Sequence, residues 1–238
     1  MTEEVFRQDA YATECAAQVV AVDAGSVVLD RTVFYPMGGG QPGDSGVLVL
    51  ASGVALTVTD TRKGAEGIVH VLAEGSPTPV VGDAVTARID WQRRHLHMRI
   101  HTALHLLCAV VPAGVTGGQI GAGRGRLDFD VGETTLDKAA IEAGVNALIA
   151  ADHPVTPRWV DEAELDAKPD LVRTMSVQPP RGTGRLRLLE IPGVDLQPCG
   201  GTHVRHTGEI GPLVVEKIEN KGKRNRRVAI ALAELASA

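Results

Sequence analysis

Two short stretches hold the residues best suited to chemistry, and both repeat one spacing. His101-Thr-Ala-Leu-His105 sets two imidazoles four residues apart. On a helix that interval puts both rings on one face, close enough to share a metal ion. Cys199-Gly-Gly-Thr-His203 repeats the interval with a thiol and an imidazole around two glycines, which suits a turn whose backbone wraps closely round an ion. Cysteine with histidine favours zinc over magnesium or calcium. Each pair alone is a weak signal, because residues four apart on a helix are often just surface neighbours; together they favour a zinc site. His97, Cys108 and His206 lie close by in sequence and are further candidate ligands. The metalloprotease pattern HExxH is absent, since position 102 is threonine where that motif has its glutamate base. A closed, purely structural tetrahedron stays open as an alternative, because four protein ligands usually fill a zinc shell.

A third stretch, Phe34-Tyr-Pro-Met-Gly38-Gly39-Gly40-Gln41-Pro-Gly-Asp44-Ser-Gly46, is rich in glycine. It is not a phosphate loop, as no Lys-Ser/Thr follows and no helix opens after it. It reads as a wide hairpin turn whose glycines supply positive φ and let a backbone approach a ligand closely. A fourth stretch gathers Lys217, Lys221, Lys223, Arg224, Arg226 and Arg227. Such a local patch is what phosphate binding requires, and equally what defends a strand edge in solvent.

The elements that must position these residues divide the chain at about residue 90. Residues 1–90 form a small β-rich, barrel-like unit: VVAVD, SVVLDRTVF, GVLVL, VALTVTD, IVHVLA and AVTARID are valine-rich, partly alternating and separated by Gly/Pro/Asp/Ser breaks. Residues 91–238 form an α+β domain. From Trp91 a helix places Leu96, Ile100, Ala103, Leu104, Leu107 and Val111 at helical spacing and is stopped by Pro112 and Gly114. A second helix runs from about Thr135 to Asp152, with Thr134-x-x-Asp137 as its cap and Ile141, Val145, Leu148 and Ile149 on one face. The runs VTPRWV, RLRLLEI, PLVVEKIE and RRVAIALAEL read as strands. The fold class is therefore α+β.

Composition limits the function classes. Hydrophobic residues at 44% and charged residues at 22% match an ordinary globular protein, and no apolar run approaches the ~20 residues that cross a bilayer. The opening MTEEVFRQDA lacks a basic-then-apolar signal layout, and three scattered cysteines do not make a disulfide framework, so a cytoplasmic setting is expected. The net charge of -5 conceals an asymmetry: acidic residues dominate the first ninety positions, and the remainder is slightly basic. A nucleic-acid partner is thus not excluded.

HTALH, then CGGTH about a hundred residues on, preceded by FYPMGGGQPGD, resembles the AlaX family of trans-editing proteins, which are similar to the editing domain of alanyl-tRNA synthetase. The likeness extends through VTGGQIG, RLDFD and VEKIENKGKRNRRV, and its extent suggests the mid-sized class. It implies a zinc-dependent aminoacyl-tRNA deacylase that hydrolyses the ester on mischarged tRNA(Ala), chiefly Ser-tRNA(Ala). It implies zinc ligands at His101, His105, Cys199 and His203, and a polar contact to the ester from Gln119. Thr102, Thr202 and Gln119 are the nearby groups able to hold a water or a developing oxyanion. Thr32 is the first candidate for hydrogen-bonding the serine hydroxyl and Gln119 the second, while Gly38, Gly39, Gly40 and Gln41 are candidate substrate contacts. The acceptor stem and 3' end of the tRNA are expected against Lys223, Arg224, Arg226 and Arg227, with Arg93 and Arg94 as further contacts. Met37 departs from the family pattern, which often has a polar or acidic residue there. Two other functions compete. One is editing of threonine tRNA, which shares the paired motifs; the other is a non-catalytic zinc module that only binds RNA, though seven aromatic residues without interleaving make a poor stacking platform.

Overall fold

The structure is a computed structural model and describes residues 2–161 and 185–236. The chain divides into two units, Met1–His95 and Leu96–Ala238.

The first unit is built on a closed six-stranded barrel, ordered β2-β3-β7-β6-β5-β8. In chain order the unit holds β1 (Glu3–Glu4), a helical turn α1 (Val5–Gln8), β2 (Glu14–Asp23), β3 (Ser26–Leu29) and β4 (Arg31–Thr32). Then follow β5 (Gly46–Leu50), β6 (Ala55–Lys63), β7 (Ile68–Leu72) and β8 (Ala84–Ile89). Alternation selects the core: Leu56 and Val58 of β6 point inward, as do Val85, Ala87 and Ile89 of β8, and they meet Val19, Leu29, Phe34 and Leu48. Closure leaves the barrel without an unpaired edge. The expected strand SVVLDRTVF is broken at Asp30, whose carboxylate accepts the backbone N–H groups of Gln18 and Arg31 and interrupts the ladder there.

The second unit takes up α2 (Trp91–Val110), which begins in the first, and adds β9 (Gly114–Ile120), β10 (Arg124–Asp130) and α3 (Lys138–Ala150). It continues with β11 (Thr156–Asp161), β12 (Arg185–Ile191), β13 (Asp195–Pro198), β14 (Leu213–Asn220) and β15 (Asn225–Leu232). Two antiparallel sheets result, β14-β15-β10-β9 and β11-β12-β13. The first packs tightly on α2: a Cβ on Gly125 would lie 2.5 Å from the Ile100 side chain, so only glycine fits between strand and helix. Against the expected start near Thr135, α3 begins at Lys138, because Asp137 is itself the N-cap and accepts the N–H groups of Ala139 and Ala140. Ile141, Val145 and Ile149 are its buried face, and Asn146 and Glu142 tie it to the backbone of β14. The architecture is the α+β class with a barrel that the sequence leads one to expect. Among the described residues no helix is long and apolar enough to cross a membrane.

Candidate metal centre

In α2, His101 and His105 sit one turn apart with ring centroids 5.5 Å apart, and the turn after β13 brings Cys199 and His203 against them. The His203 ring lies 4.2 Å from that of His101 and 4.9 Å from that of His105. Cys199 Sγ is 3.5 Å from His101 Nε2 and 3.1 Å from His203 Nε2. One ligand atom from each of the four residues lies within 4.8 Å of all the others. Bond lengths of about 2.3 Å to sulfur and 2.0–2.1 Å to nitrogen put tetrahedral S···N separations near ~3.5 Å, so the donors present fit a zinc ion.

The surroundings fix the direction in which each donor points. His105 Nδ1 is 2.8 Å from Asp195 Oδ2, and His203 Nδ1 is 3.2 Å from the Thr102 hydroxyl, which leaves both Nε2 atoms turned inward. Arg187 holds the glycine turn: its Nη1 donates to the carbonyls of Cys199 and Gly201 at 2.8 and 3.0 Å, while its own carbonyl accepts the Cys199 N–H. Burial favours neutral His105, but the Asp195 carboxylate and the Cys199 sulfur outweigh it and push its pKa up to about 10. Burial would also raise the Cys199 thiol, yet His101 and His203 hold it well below the usual thiol range. Burial, then His101, hold His203 well below the usual imidazole range. The buried cluster thus pairs a Cys199 thiolate with a proton on His105.

The structure brings the four expected ligands together, and the metal-capable group found among the described residues contains neither Cys108 nor His206. His206 instead lies beside Asp152, 3.7 Å from its carboxylate. The structure uses Thr102 differently from expectation: its one proton goes to the Met98 carbonyl, and its lone pairs face the Val204 N–H and His203 Nδ1. It is buried and has no capacity left for a water or oxyanion, so it positions His203. Thr202 is buried within the same turn. Gln119 is exposed on β9, its side-chain oxygen accepting from Arg126 at 3.1 and 3.2 Å. Asp195, Gln197 and Arg187 were not foreseen, since nothing in DLQP or RLRLL marks a residue that touches a ligand only from behind.

Within the barrel unit, the glycine-rich loop is narrower than the wide hairpin expected. Gly38 and Gln41 exchange N–H···O bonds of 3.1 and 3.0 Å, and Gly39 and Gly40 have φ of 59° and 81°, the two positive values that a two-residue turn needs. Gly39 and Gly40 are exposed, Gly38 is half-buried and Gln41 buried. Arg94 is correspondingly not a surface contact for tRNA. It is fully buried, paired with Asp44 and donating to the carbonyls of Ala10 and Val33; Arg93 donates to the Gly43 carbonyl. Thr32 is also fully buried. Its hydroxyl accepts the Phe34 N–H at 3.0 Å and lies 2.8 Å from His70 Nε2. Burial lowers His70 to about 4, so this ring is neutral, donates from Nδ1 to Val27 and takes the Thr32 proton on Nε2.

On the β14–β15 hairpin, carboxylates neutralise much of the basic segment. Lys217 and Lys221 pair with Glu219, Arg224 with Asp130 and Arg227 with Asp128. Among the described residues, Lys223 and Arg226 have no carboxylate partner, Arg226 donating only to backbone carbonyls.

Comparison with known proteins adds to this geometry. Residues 4–93 match the family model of class II (A) tRNA synthetases, and residues 186–229 that of the threonyl and alanyl tRNA synthetase second additional domain. The alanyl-tRNA editing protein AlaX-M of Methanosarcina mazei is 38% identical, covering 100% of this chain and 99% of that protein. The protein of the same name from Saccharolobus solfataricus is 38% identical over 96% of this chain and 98% of its own length. An alanine–tRNA ligase of Saccharolobus islandicus is 36% identical over 92% of this chain, which spans 25% of the ligase.

Proposed function

The chain belongs to the AlaX-M family of alanyl-tRNA editing proteins, and from that premise we propose that it hydrolyses the ester on mischarged tRNA(Ala), chiefly Ser-tRNA(Ala), at a zinc centre in the cytoplasm. The observation that carries the reading is the convergence of three imidazole nitrogens and one sulfur within 4.8 Å. Zinc held by His101, His105, Cys199 and His203 would supply a Lewis acid that polarises the ester carbonyl or acidifies a water. The chain's own residues prepare the site for it. Asp195 and Thr102 set the direction of two imidazoles, and Arg187 freezes the glycine turn so that the Cys199 sulfur faces them. In the reaction a water oxygen bonds to the ester carbonyl carbon, the bond to the ribose oxygen breaks, and that oxygen takes up a proton. Free serine and uncharged tRNA leave. Hydrolysis of this activated ester needs no ATP.

Serine must be distinguished from alanine by a hydrogen bond, since any pocket that admits serine also admits the smaller alanine. Of the two candidates, the exposed Gln119 amide has donors to offer, whereas the Thr32 hydroxyl already donates to His70 and accepts from Phe34. The acceptor stem lies on the β14–β15 hairpin, with Lys223 and Arg226 contributing most, because a cation already neutralised by a carboxylate releases fewer counterions from RNA. Arg224, Arg227 and the loop residues Gly38 to Gln41 are secondary contacts.

Deacylation assays with purified chain test the proposal. Rapid, multiple-turnover release of serine from Ser-tRNA(Ala), with Ala-tRNA(Ala) largely spared, is expected. Preference for Ser-tRNA(Thr) would reassign the chain to threonine-tRNA editing, and tight RNA binding with no turnover would make it a binding module.

A further inference from the structure

Asp195 sits behind the metal centre in β13 and is buried to within 5% of complete exclusion from solvent. One of its oxygens, Oδ2, lies 2.8 Å from His105 Nδ1 and accepts, also at 2.8 Å, from the Gln197 side-chain amide. The other, Oδ1, is buried without a hydrogen-bond partner. Among the described residues no lysine or arginine pairs with this carboxylate. A buried carboxylate in that position needs a positive charge close by, and it touches the one ring that can supply it, either as protonated His105 or through a cation bound on the far side of that ring.

We propose that Asp195, held in place by Gln197, is the residue that fixes the ring and tautomer of His105 and thereby sets how tightly the chain retains its metal. The inference rests on the zinc centre of the preceding section. An Nδ1–H donated to Oδ2 leaves Nε2 with its lone pair directed at the cation, and the negative charge behind the ring makes that nitrogen a stronger donor. The two braced histidines differ in this respect. The neutral Thr102 hydroxyl stands behind His203, so Thr102 orients without adding charge, whereas Asp195 orients and compensates charge together. Gln197 spans the geometry from the strand itself, two residues along on the same face, and stops the carboxylate from rotating away.

Metal affinity, measured by competition against a chromophoric chelator with zinc, and the absorption spectrum with cobalt in its place, test the assignment without reference to deacylation. Asp195→Asn keeps the shape and an oxygen acceptor but removes the charge; Asp195→Leu removes both. The expected order of affinity is parent, then Asn, then Leu, with a loss of about 10–100-fold for Leu. The cobalt spectrum of the Asn variant should remain that of a four-ligand site containing sulfur, and Gln197→Met should show a smaller loss in the same direction. Should Asp195→Leu fail to fold, Asp195→Asn carries the test. Parent-like affinity, within about twofold, in Asp195→Asn and in any folded Asp195→Leu overturns the role of Asp195 while leaving the zinc centre intact. A parent protein that binds no zinc overturns the centre itself.

Discussion

At the residue scale, His105 offers a test of whether the cluster binds a metal ion. Its pKa in the metal-free fold is raised to about 10, from an unfolded value near ~6.5. The raised value stabilises the metal-free fold fully below about 6.5, and that contribution is lost as pH rises through about 10. Zinc takes the proton's place, so binding between about pH 7 and 9 should release close to one proton per ion, falling toward zero above pH 10. Calorimetry in buffers of different ionisation enthalpy reads that number directly, and a proton count near zero throughout the window would mean that zinc displaces no proton from His105. Serine selectivity belongs to the same scale. Gln119→Ala should lower the ratio of kcat/KM for seryl over alanyl tRNA, mainly through the seryl value. Thr32→Val should instead leave the ratio near that of the parent and destabilise the barrel unit by about 1–3 kcal/mol, since His70 Nε2 and the Phe34 N–H lose their shared partner. A collapsed ratio in Thr32→Val with an unaltered one in Gln119→Ala would reverse the assignment. The four residues of the metal-capable cluster were legible in sequence because their spacing repeats. Asp195, Gln197 and Arg187 were not, because a residue that acts through another residue's far side leaves no interval to read.

At the element scale, the helix that carries His101 and His105 was foreseen almost to its ends, and Val111, where its apolar spacing closes, is buried just beyond the helical span. The hairpin of β9 and β10 was not foreseen as strands, since Gly117 and Gly118 break the period-two pattern, and the register becomes clear only once α2 packs against Gly125. The glycine-rich stretch reads in sequence as a wide turn, because spacing alone does not say which of its glycines share one turn. In the structure they divide the work: Gly39 and Gly40 make the tight turn, while a Cβ on Gly43 would lie 2.0 Å from the Thr61 carbonyl oxygen. The β14–β15 hairpin has its own test. Changing Lys223 and Arg226 to glutamine should flatten the dependence of log affinity for tRNA on log salt by about 0.7–0.9 per lost contact. The same changes at Arg224 and Arg227, which have carboxylate partners, should flatten it less. Equal slopes in all four variants and the parent would mean that the hairpin is a solvated edge and the acceptor stem binds elsewhere.

At the scale of the whole molecule, the barrel unit and the unit with the metal-capable cluster differ in what supports them. The barrel closes on its own apolar core, with the fully buried Arg94–Asp44 pair inside the same unit. In the second unit the cluster joins α2 to the turn after β13, two segments nearly a hundred residues apart in sequence, so an ion there acts as a cross-link. At free zinc 100-fold above Kd, binding to the folded form alone adds about 2.7 kcal/mol. Chelation should therefore lower the melting transition of the unit that holds the cluster by roughly 5–10 °C. An unchanged transition would mean that no ion cross-links the two segments. The start of α2 at Trp91 was legible from the change of periodicity there, whereas barrel closure, a property of pairing between distant strands, was only suggested by their number. The most direct test of the zinc-dependent editing centre is to titrate metal-free protein with zinc and follow deacylation of Ser-tRNA(Ala) at each step. The expected result is a rate that climbs in proportion to bound zinc and levels off at one ion per chain, with Cys199→Ala flat throughout. Full activity in protein shown to be metal-free, or in Cys199→Ala, would contradict it.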